Sequence, residues 1–168
     1  EAFDLEKIQA QLGPGIAQIR RIEHAQATLL AVRARPEIRA HVTQQRNVWT
    51  VALKPDGNAP AAPEAKLAIS RNGIEQAALP LPGAETPVTF VAPEAGSALH
   101  VAPSRATAAV EGRRTFVTFR ILPAAQGGVI EALADGLVVG AERGAITIRR
   151  RAGLLLSNGG PSGVQHGQ

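Results

Sequence analysis

Cysteine, methionine and tyrosine are absent from this chain, and aromatic residues are scarce: one tryptophan and four phenylalanines in 168 residues. Without cysteine the chain can form no disulfide, no thiolate metal site and no cysteine nucleophile. The absence suits an oxidising compartment, where a stray thiol is a hazard, but it does not fix the location. Because large rings are few, we expect a core built from leucine, isoleucine and valine.

Long apolar runs are also lacking. No stretch approaches the ~20 residues that a membrane-spanning helix needs, so the sequence predicts no transmembrane segment in this fragment. The chain begins at Glu1, without an initiator methionine and without a signal-peptide pattern. We therefore expect Glu1 to be a processed or excised end of a larger protein, from which a targeting segment could have been removed.

The net charge is only +4, and arginine outnumbers lysine. A small excess of this kind affects association more than it affects the fold. Surfaces that bind nucleic acids combine basic side chains with exposed aromatic rings on which the bases stack. This chain has few such rings, so we expect no nucleic-acid partner.

Patterns that carry catalysis or bind metals are missing as well. The acidic residues are scattered singly and are not paired for general acid and base chemistry. No serine lies in a G-x-S-x-G motif, and the glycines form no dinucleotide-binding or phosphate-binding loop. The sequence therefore predicts no enzyme, no catalytic residue, no metal site and no cofactor. The histidines are too far apart in sequence to chelate a metal locally: His24, His41, His100 and His166.

A short helix is predicted near the start of the chain. Asp4 can cap a helix that runs from Leu5 to Leu12, and Gly13 can end it. The apolar residues of this segment follow helical spacing. After Gly15 the apolar period falls to two residues, which indicates strands.

Two stretches of strict alternation predict a β-hairpin. Alternation of this kind is typical of half-buried antiparallel strands. Residues Gln44 to Asn47 predict the turn between them. We expect Trp49 to be a core anchor rather than a ligand platform. The apolar sides consist of Ile38, Ala40 and Val42 in the first stretch and of Trp49, Val51 and Leu53 in the second.

A stretch rich in proline, glycine and alanine divides the chain. Residues 54–66 predict a linker or a long surface loop, because their prolines interrupt any regular pairing. Residues 1–53 then form a first β-unit with the short helix, and residues 67–157 form a second antiparallel β-unit. The polar, glycine-rich residues 158–168 are predicted to be a disordered tail.

Short strands with turn signals fill the second unit. Asn72-Gly73 is a strong hairpin signal, because both positions tolerate a positive φ. Residues Ala106 to Val110 predict a weak strand, and Thr115 to Leu122 predict the clearest one. Four short strands between Val129 and Ser157 suggest a meander or the edge of a sandwich. The predicted fold class is mainly β, with antiparallel β-sandwich or meander units and one short N-terminal helix.

Pairs of arginines form the candidate ligand-binding residues. Side chains two apart on a strand point to the same side, so Arg33 with Arg35, and Arg149 with Arg151, can each present two guanidinium groups to an anion. The alternative is that these residues only form a solvated strand face.

Two runs of sequence carry a resemblance to a known family. The first half contains FDLEKIQAQLG, followed by IAQIRRIEHAQATLLAVRARPEIRAHVTQQRNVWTVALKP, which closes on a W-x-V-x-L motif at Trp49, Val51 and Leu53. The second half contains RTFVTFRILPAAQGGVIEALADGLVVG and ITIRRRAGLLLS. From Phe3 to Ser157 the chain resembles the β-rich, AMIN-like region of tetratricopeptide-containing envelope proteins from α-proteobacteria.

The resemblance implies a β-sandwich module associated with peptidoglycan or envelope assembly, with no catalytic residues. We expect a non-enzymatic, extracytoplasmic binding module of a larger envelope protein, whose partner is another envelope protein or peptidoglycan. The expected location is the periplasm or cell envelope, with the cytoplasm as the alternative. The alternative function is a structural or assembly module that pairs through its β-edges with another chain. The sequence does not indicate an oligomeric state.

Overall fold

The computed structural model describes residues 5–10, 12–46, 48–55, 68–70, 76–93, 95–106, 109–110 and 112–154. The chain divides into two compact units, Glu1–Ala61 and Ala62–Gln168, called here the N-terminal unit and the C-terminal unit. Antiparallel strands make up most of the described structure, with one short helix, so the predicted fold class is confirmed. The predicted disordered tail, residues 158–168, lies outside the described residues.

The N-terminal unit consists of one helix turn and two hairpins. Each hairpin is a separate two-stranded antiparallel sheet, β1 with β2 and β3 with β4. The last strand includes Lys54 and Pro55, two residues that the sequence placed in the linker; the rest of that linker lies outside the described residues. The elements are α1 Leu5–Ala10, β1 Ile16–Ile22, β2 Leu29–Ala34, β3 Ile38–Gln45 and β4 Val48–Pro55.

The two hairpins meet at Gly15, which precedes β1. The Arg35 amide donates to the Gly15 carbonyl at 2.8 Å, and the Ile38 amide donates to the Arg35 carbonyl at 3.0 Å. Gly15 has a φ of +103°, and a Cβ at this position would lie 3.2 Å from the Ile38 side chain. Glycine is needed here because both the backbone angle and the close approach of Ile38 disfavour a side chain.

The C-terminal unit contains two sheets. Five strands form one sheet in the order β7-β8-β11-β10-β9, and four form the other in the order β12-β13-β6-β5. The strands are β5 Ala68–Ser70, β6 Gln76–Pro80, β7 Val88–Val91, β8 Ala98–Ala102, β9 Arg114–Thr115, β10 Phe119–Leu122, β11 Gly128–Ala132, β12 Leu137–Glu142 and β13 Ala145–Arg150.

These two sheets pack face to face around one apolar core. A Cβ built on Gly128 in β11 would clash with the Ile146 side chain in β13, which shows how closely the sheets approach. The arrangement is a sandwich, in which alternate residues of both sheets point inward. The buried apolar residues are Ala77, Leu79, Leu81, Ala102, Val110, Phe116, Phe119, Ile121, Ile130, Ile146, Ile148 and Leu154.

The prediction of one strand from Thr115 to Leu122 is wrong. The chain reverses within this segment, so that β9 pairs antiparallel with β10 and the Phe116 amide donates to the Phe119 carbonyl at 2.9 Å. The reversal brings the rings of Phe116 and Phe119 into a stack with centroids 4.6 Å apart. Both rings are buried while Val117 is half exposed. A continuous strand would place Phe116 and Phe119 on opposite sides, whereas the turn buries both rings in the same core.

Further strand predictions in this unit also need correction. The strands after residue 128 do not form one meander, because β11 belongs to the five-stranded sheet while β12 and β13 belong to the other. The predicted strand from Ala106 to Val110 lies partly outside the described residues, since residues 107 and 108 are not described; within it Val110 makes a single antiparallel bridge to Ala124. β5 and β6 do form a hairpin, with Ser70 opposite Gln76; Asn72-Gly73 lies outside the described residues.

Candidate binding surface on the second hairpin

One side of the β3–β4 hairpin carries an apolar surface. The register places Val51 opposite Val42 and Leu53 opposite Ala40. Directly opposite residues of antiparallel strands project to the same side of the sheet, so the alternation read from the sequence correctly predicts which residues share a side. We define the tryptophan face as Trp49, Val51 and Leu53 of β4 with Ala40 and Val42 of β3.

The tryptophan face is exposed to solvent at Trp49 and Val51. Trp49 is 43% exposed and Val51 is 61% exposed, whereas Leu53 and Val42 are half-buried. The prediction that Trp49 is a core anchor is therefore wrong. Alternation along a strand reveals which residues share a side, but it cannot reveal whether another layer covers that side. Nothing in the local sequence distinguishes this exposed face from a buried one.

The other side of the same hairpin is mostly polar. Arg39 lies opposite Lys54, and Thr43 lies opposite Thr50. The Arg39 guanidinium donates to the Pro36 carbonyl at 2.5 Å, which holds it near the start of β3. The Trp49 ring and most of the aliphatic groups thus lie on one side, with Gln44 opposite Trp49. The cations and hydroxyls lie on the other side, together with Ala52 and the exposed Val48.

The first pair of candidate arginines lies near the end of β2. Arg33 is an exposed residue of the strand, opposite Gln18. Arg35 follows the strand, and its guanidinium is 3.9 Å from the Glu37 carboxylate. Arg35 also lines a cavity of about 260 Å³, together with small residues at the start of β1. Arg33 lies in β2 and Arg35 follows the strand, so the two are neighbours at the same end of this hairpin.

The second pair does not share a strand face. Arg149 lies in β13, where its Nε donates to Gln76 Oε1 at 2.9 Å and its Nη2 donates to both Glu142 oxygens at 3.0 and 3.1 Å. Arg151 lies in the turn after β13, which ends at Arg150. Arg149 is thus already bound to side chains of its own unit. Anion binding by Arg33, Arg35, Arg149 and Arg151 stays a prediction.

A buried ion pair lies in the five-stranded sheet. Arg120 Nη1 donates to Glu131 Oε2 at 2.6 Å, and Ser97 Oγ donates to Glu131 Oε1 at 2.8 Å. The hydrogen bond from Ser97, followed by the contact with Arg120, lowers the pKa of the Glu131 carboxyl. Because both carboxylate oxygens accept bonds from neighbouring strands or loops, this group holds β8, β10 and β11 in place. Scattered single charges in the sequence do not reveal this pairing.

A buried histidine lies on the same sheet. The ring of His100 in β8 is buried, and its Nδ1 lies 2.8 Å from Thr89 Oγ1 in β7. Burial lowers the pKa of this imidazole, because removal from water disfavours the charged form. Among the residues that the structure describes, no three histidine or acidic side chains are grouped so that they could hold a metal ion.

No protein-family model, curated protein or solved structure matches the chain. Within the described ranges, no helix is long and apolar enough to cross a membrane. Trp49 and Val51 are exposed apolar neighbours on one strand face, and this makes the tryptophan face the candidate binding surface.

Proposed function

We propose that this chain is a non-enzymatic binding module of a larger extracytoplasmic envelope protein. Its tryptophan face binds a partner, which is another envelope protein or peptidoglycan. The observation that supports the proposal is the exposure of Trp49 and Val51, adjacent apolar residues of one strand face. The envelope location is supported by the resemblance and is consistent with the absence of cysteine.

Contact between water and neighbouring apolar side chains is unfavourable, so a partner that covers them gains free energy. Each Å² of apolar surface that a partner covers stabilises a complex by about 25 cal/mol before the costs of association. Tryptophan is among the residues most enriched where binding energy concentrates. Val51 offers no donor or acceptor for sugar hydroxyls, so this face suits an apolar protein surface better than a glycan strand.

A specific observation supports the alternative function as well. In the described part of the chain, β1–β2 and β3–β4 are separate two-stranded sheets, so each strand has one side that pairs with no other strand. Unpaired strand edges are templates for pairing with another chain. A structural or assembly module would use these edges and would need no exposed ring.

Crosslinking from the tryptophan face tests the proposal. A photoreactive amino acid replaces Trp49 in the full-length protein, expressed in cells of its own source, and Val138 carries the same group as a control. Val138 is an exposed valine of β12, in the C-terminal unit. We expect one discrete protein adduct from position 49 and none from position 138. Equal labelling from both positions would contradict a binding role for the face, and no labelling from either position would contradict a protein partner.

Sedimentation with purified peptidoglycan sacculi separates the two classes of partner. If peptidoglycan is the ligand, the chain sediments with sacculi and Trp49→Ser releases it, while Val138→Ser does not. If a protein is the ligand, all three chains stay in solution and the crosslinked adduct is a protein. Sedimentation that Trp49→Ser leaves unchanged would place any peptidoglycan contact outside this face.

A further inference from the structure

The charges of the β3–β4 hairpin indicate what kind of partner it fits. We infer that the tryptophan face is covered by an acidic strand: an extended protein segment with alternating apolar and carboxylate side chains that pairs with the unpaired side of β4. This inference is based on the proposed function and identifies the chemistry of the partner. Three observations support it: the hairpin's charge, the separation of its two sides, and the open side of β4.

The hairpin is purely basic. Between Ile38 and Pro55 the sequence contains Arg39, Arg46 and Lys54 and no acidic residue. Two copies of this hairpin would therefore bring like charges together, which disfavours a second copy as the occupant. A segment that carries carboxylates meets the opposite sign, so charge complementarity favours an acidic partner.

The cations and the tryptophan face lie on opposite sides of the hairpin. Arg39 and Lys54 face each other across the strands on the side away from Trp49. A strand added to β4 would also alternate its side chains between the two sides of the sheet. Residues beside Trp49 and Val51 must then be apolar. The alternate residues lie on the side of Val48, Thr50, Ala52 and Lys54, and a carboxylate is favoured next to Lys54.

The strand arrangement leaves room for this addition. Among the described residues β4 pairs with β3 alone, and a two-stranded hairpin is only marginally stable in water. A third strand would satisfy unpaired backbone groups and cover part of the tryptophan face at once. A membrane surface fits less well, because an apolar side lying in lipid would turn Arg39 and Lys54 away from anionic headgroups.

Short synthetic peptides test the inference on the whole chain. Four are compared: valine alternating with glutamate, the same residues scrambled, valine alternating with glutamine, and valine alternating with lysine. Trp49 is the single tryptophan of the chain, so its emission reports directly on the face. We expect saturable binding of the alternating valine–glutamate peptide, about tenfold tighter than of the scrambled peptide. Equal binding of the two, or binding of neither, would overturn the inference.

A charge reversal provides the matched variant test. Lys54→Glu should weaken binding of the valine–glutamate peptide by about tenfold at low salt and should strengthen binding of the valine–lysine peptide. Arg143→Glu makes the same charge change at an exposed turn of the C-terminal unit and should alter neither. If the two variants behave alike, the effect comes from net charge and the pairing with β4 is wrong.

Vesicles provide the remaining comparison. Vesicles of phosphatidylcholine with phosphatidylglycerol should leave the Trp49 emission unchanged, since the inference assigns the face to a protein strand. A blue shift with these vesicles and none with the peptides would replace the inference with a membrane role. A protein adduct at position 49 with no preference for the alternating acidic peptide would leave the proposed function in place and remove this inference alone.

Discussion

The N-terminal and C-terminal units are built from the same antiparallel strands but differ in burial. In the C-terminal unit two sheets enclose a core that includes Phe119, Ile130 and Ile148, each with no exposed surface. In the N-terminal unit none of the described residues is fully buried, and Trp49 and Val51 remain in contact with solvent. The difference is one of layers, because an apolar strand face becomes a core only when a second layer packs on it.

The difference in burial affects both the stability of each unit and the surface that it exposes. A unit with a closed core can be stable on its own, whereas two-stranded hairpins without a covering layer are marginal. Within the described part of the N-terminal unit no second layer covers Trp49 and Val51, and this is the face to which we assign the partner. The variants below test whether stability resides in the C-terminal unit and binding in the N-terminal unit.

Removing a ring from the core should have the largest effect. Phe119→Ala deletes a fully buried side chain that stacks on Phe116, and we expect a loss of about 3–5 kcal/mol in the free energy of unfolding. Hydrogen exchange of β10 and β11 during denaturation measures it. The Trp49 emission should change little, because every residue of the core cluster belongs to the C-terminal unit. A parallel loss of signal at Trp49 would show that the two units share their stability.

Breaking the buried ion pair should come next. Arg120→Leu leaves the Glu131 carboxylate buried with Ser97 as its remaining partner. We expect a loss of about 2–3 kcal/mol, less than for a fully buried pair because Arg120 is partly exposed. Chemical denaturation followed by circular dichroism measures it, with Arg105→Leu as the control at an exposed ion pair. Similar losses for both variants would show that the burial of Glu131 adds nothing.

Substitution of one glycine in each unit by alanine compares how tightly the two units are packed. Gly128→Ala would place a Cβ against Ile146 between the sheets, and we expect a loss of about 1–3 kcal/mol through overpacking. Gly13→Ala meets no atom within 4 Å and should leave stability within about 0.5 kcal/mol of the wild type. Thermal unfolding of the pair compares them. A tolerated Gly128→Ala would mean that the two sheets can separate slightly without loss.

Truncating the exposed ring should have a small effect on stability. Trp49 keeps nearly half of its surface in water, so we expect Trp49→Ala to cost about 1 kcal/mol or less, well below the cost of Phe119→Ala. Hydrogen exchange in β3 and β4 measures it. A loss as large as that of a core ring would show that Trp49 is buried in solution and would remove the basis for the tryptophan face.

Mild acid should lower the stability of the C-terminal unit in two steps. Burial holds the pKa of His100 below its ordinary value of 6.5, so as the pH falls below 6.5 the unfolded chain takes up a proton before the folded chain does. Stability is therefore full above pH 6.5 and is lost as the pH falls through the folded pKa. Further loss follows below 4.5, where the lowered pKa of Glu131 acts in the same direction. The variant His100→Asn should abolish the first loss in denaturation curves measured across this range, and retention of it would assign it to another group.

Much of the strand arrangement could be predicted from the sequence. The alternation of Val42, Val51 and Leu53 correctly predicted a hairpin and the side that these residues share. The predicted strand from Thr115 to Leu122 failed because a turn that buries both Phe116 and Phe119 is decided by contacts with the opposite sheet. The Glu131–Arg120 pair could not be predicted, since β10 and β11 come together only in the folded sheet.

The amino-acid sequence by itself determined the strand class of this protein, the apolar and polar sides of its second hairpin, and the purely basic charge of that hairpin. These properties are local, because the pleat repeats every two residues and charge is a property of composition. Tertiary structure alone decided that Phe119 is buried and that Trp49 is exposed. Burial requires a second layer that comes from distant sequence, so two strands with the same alternation can end as part of a core and as an exposed face.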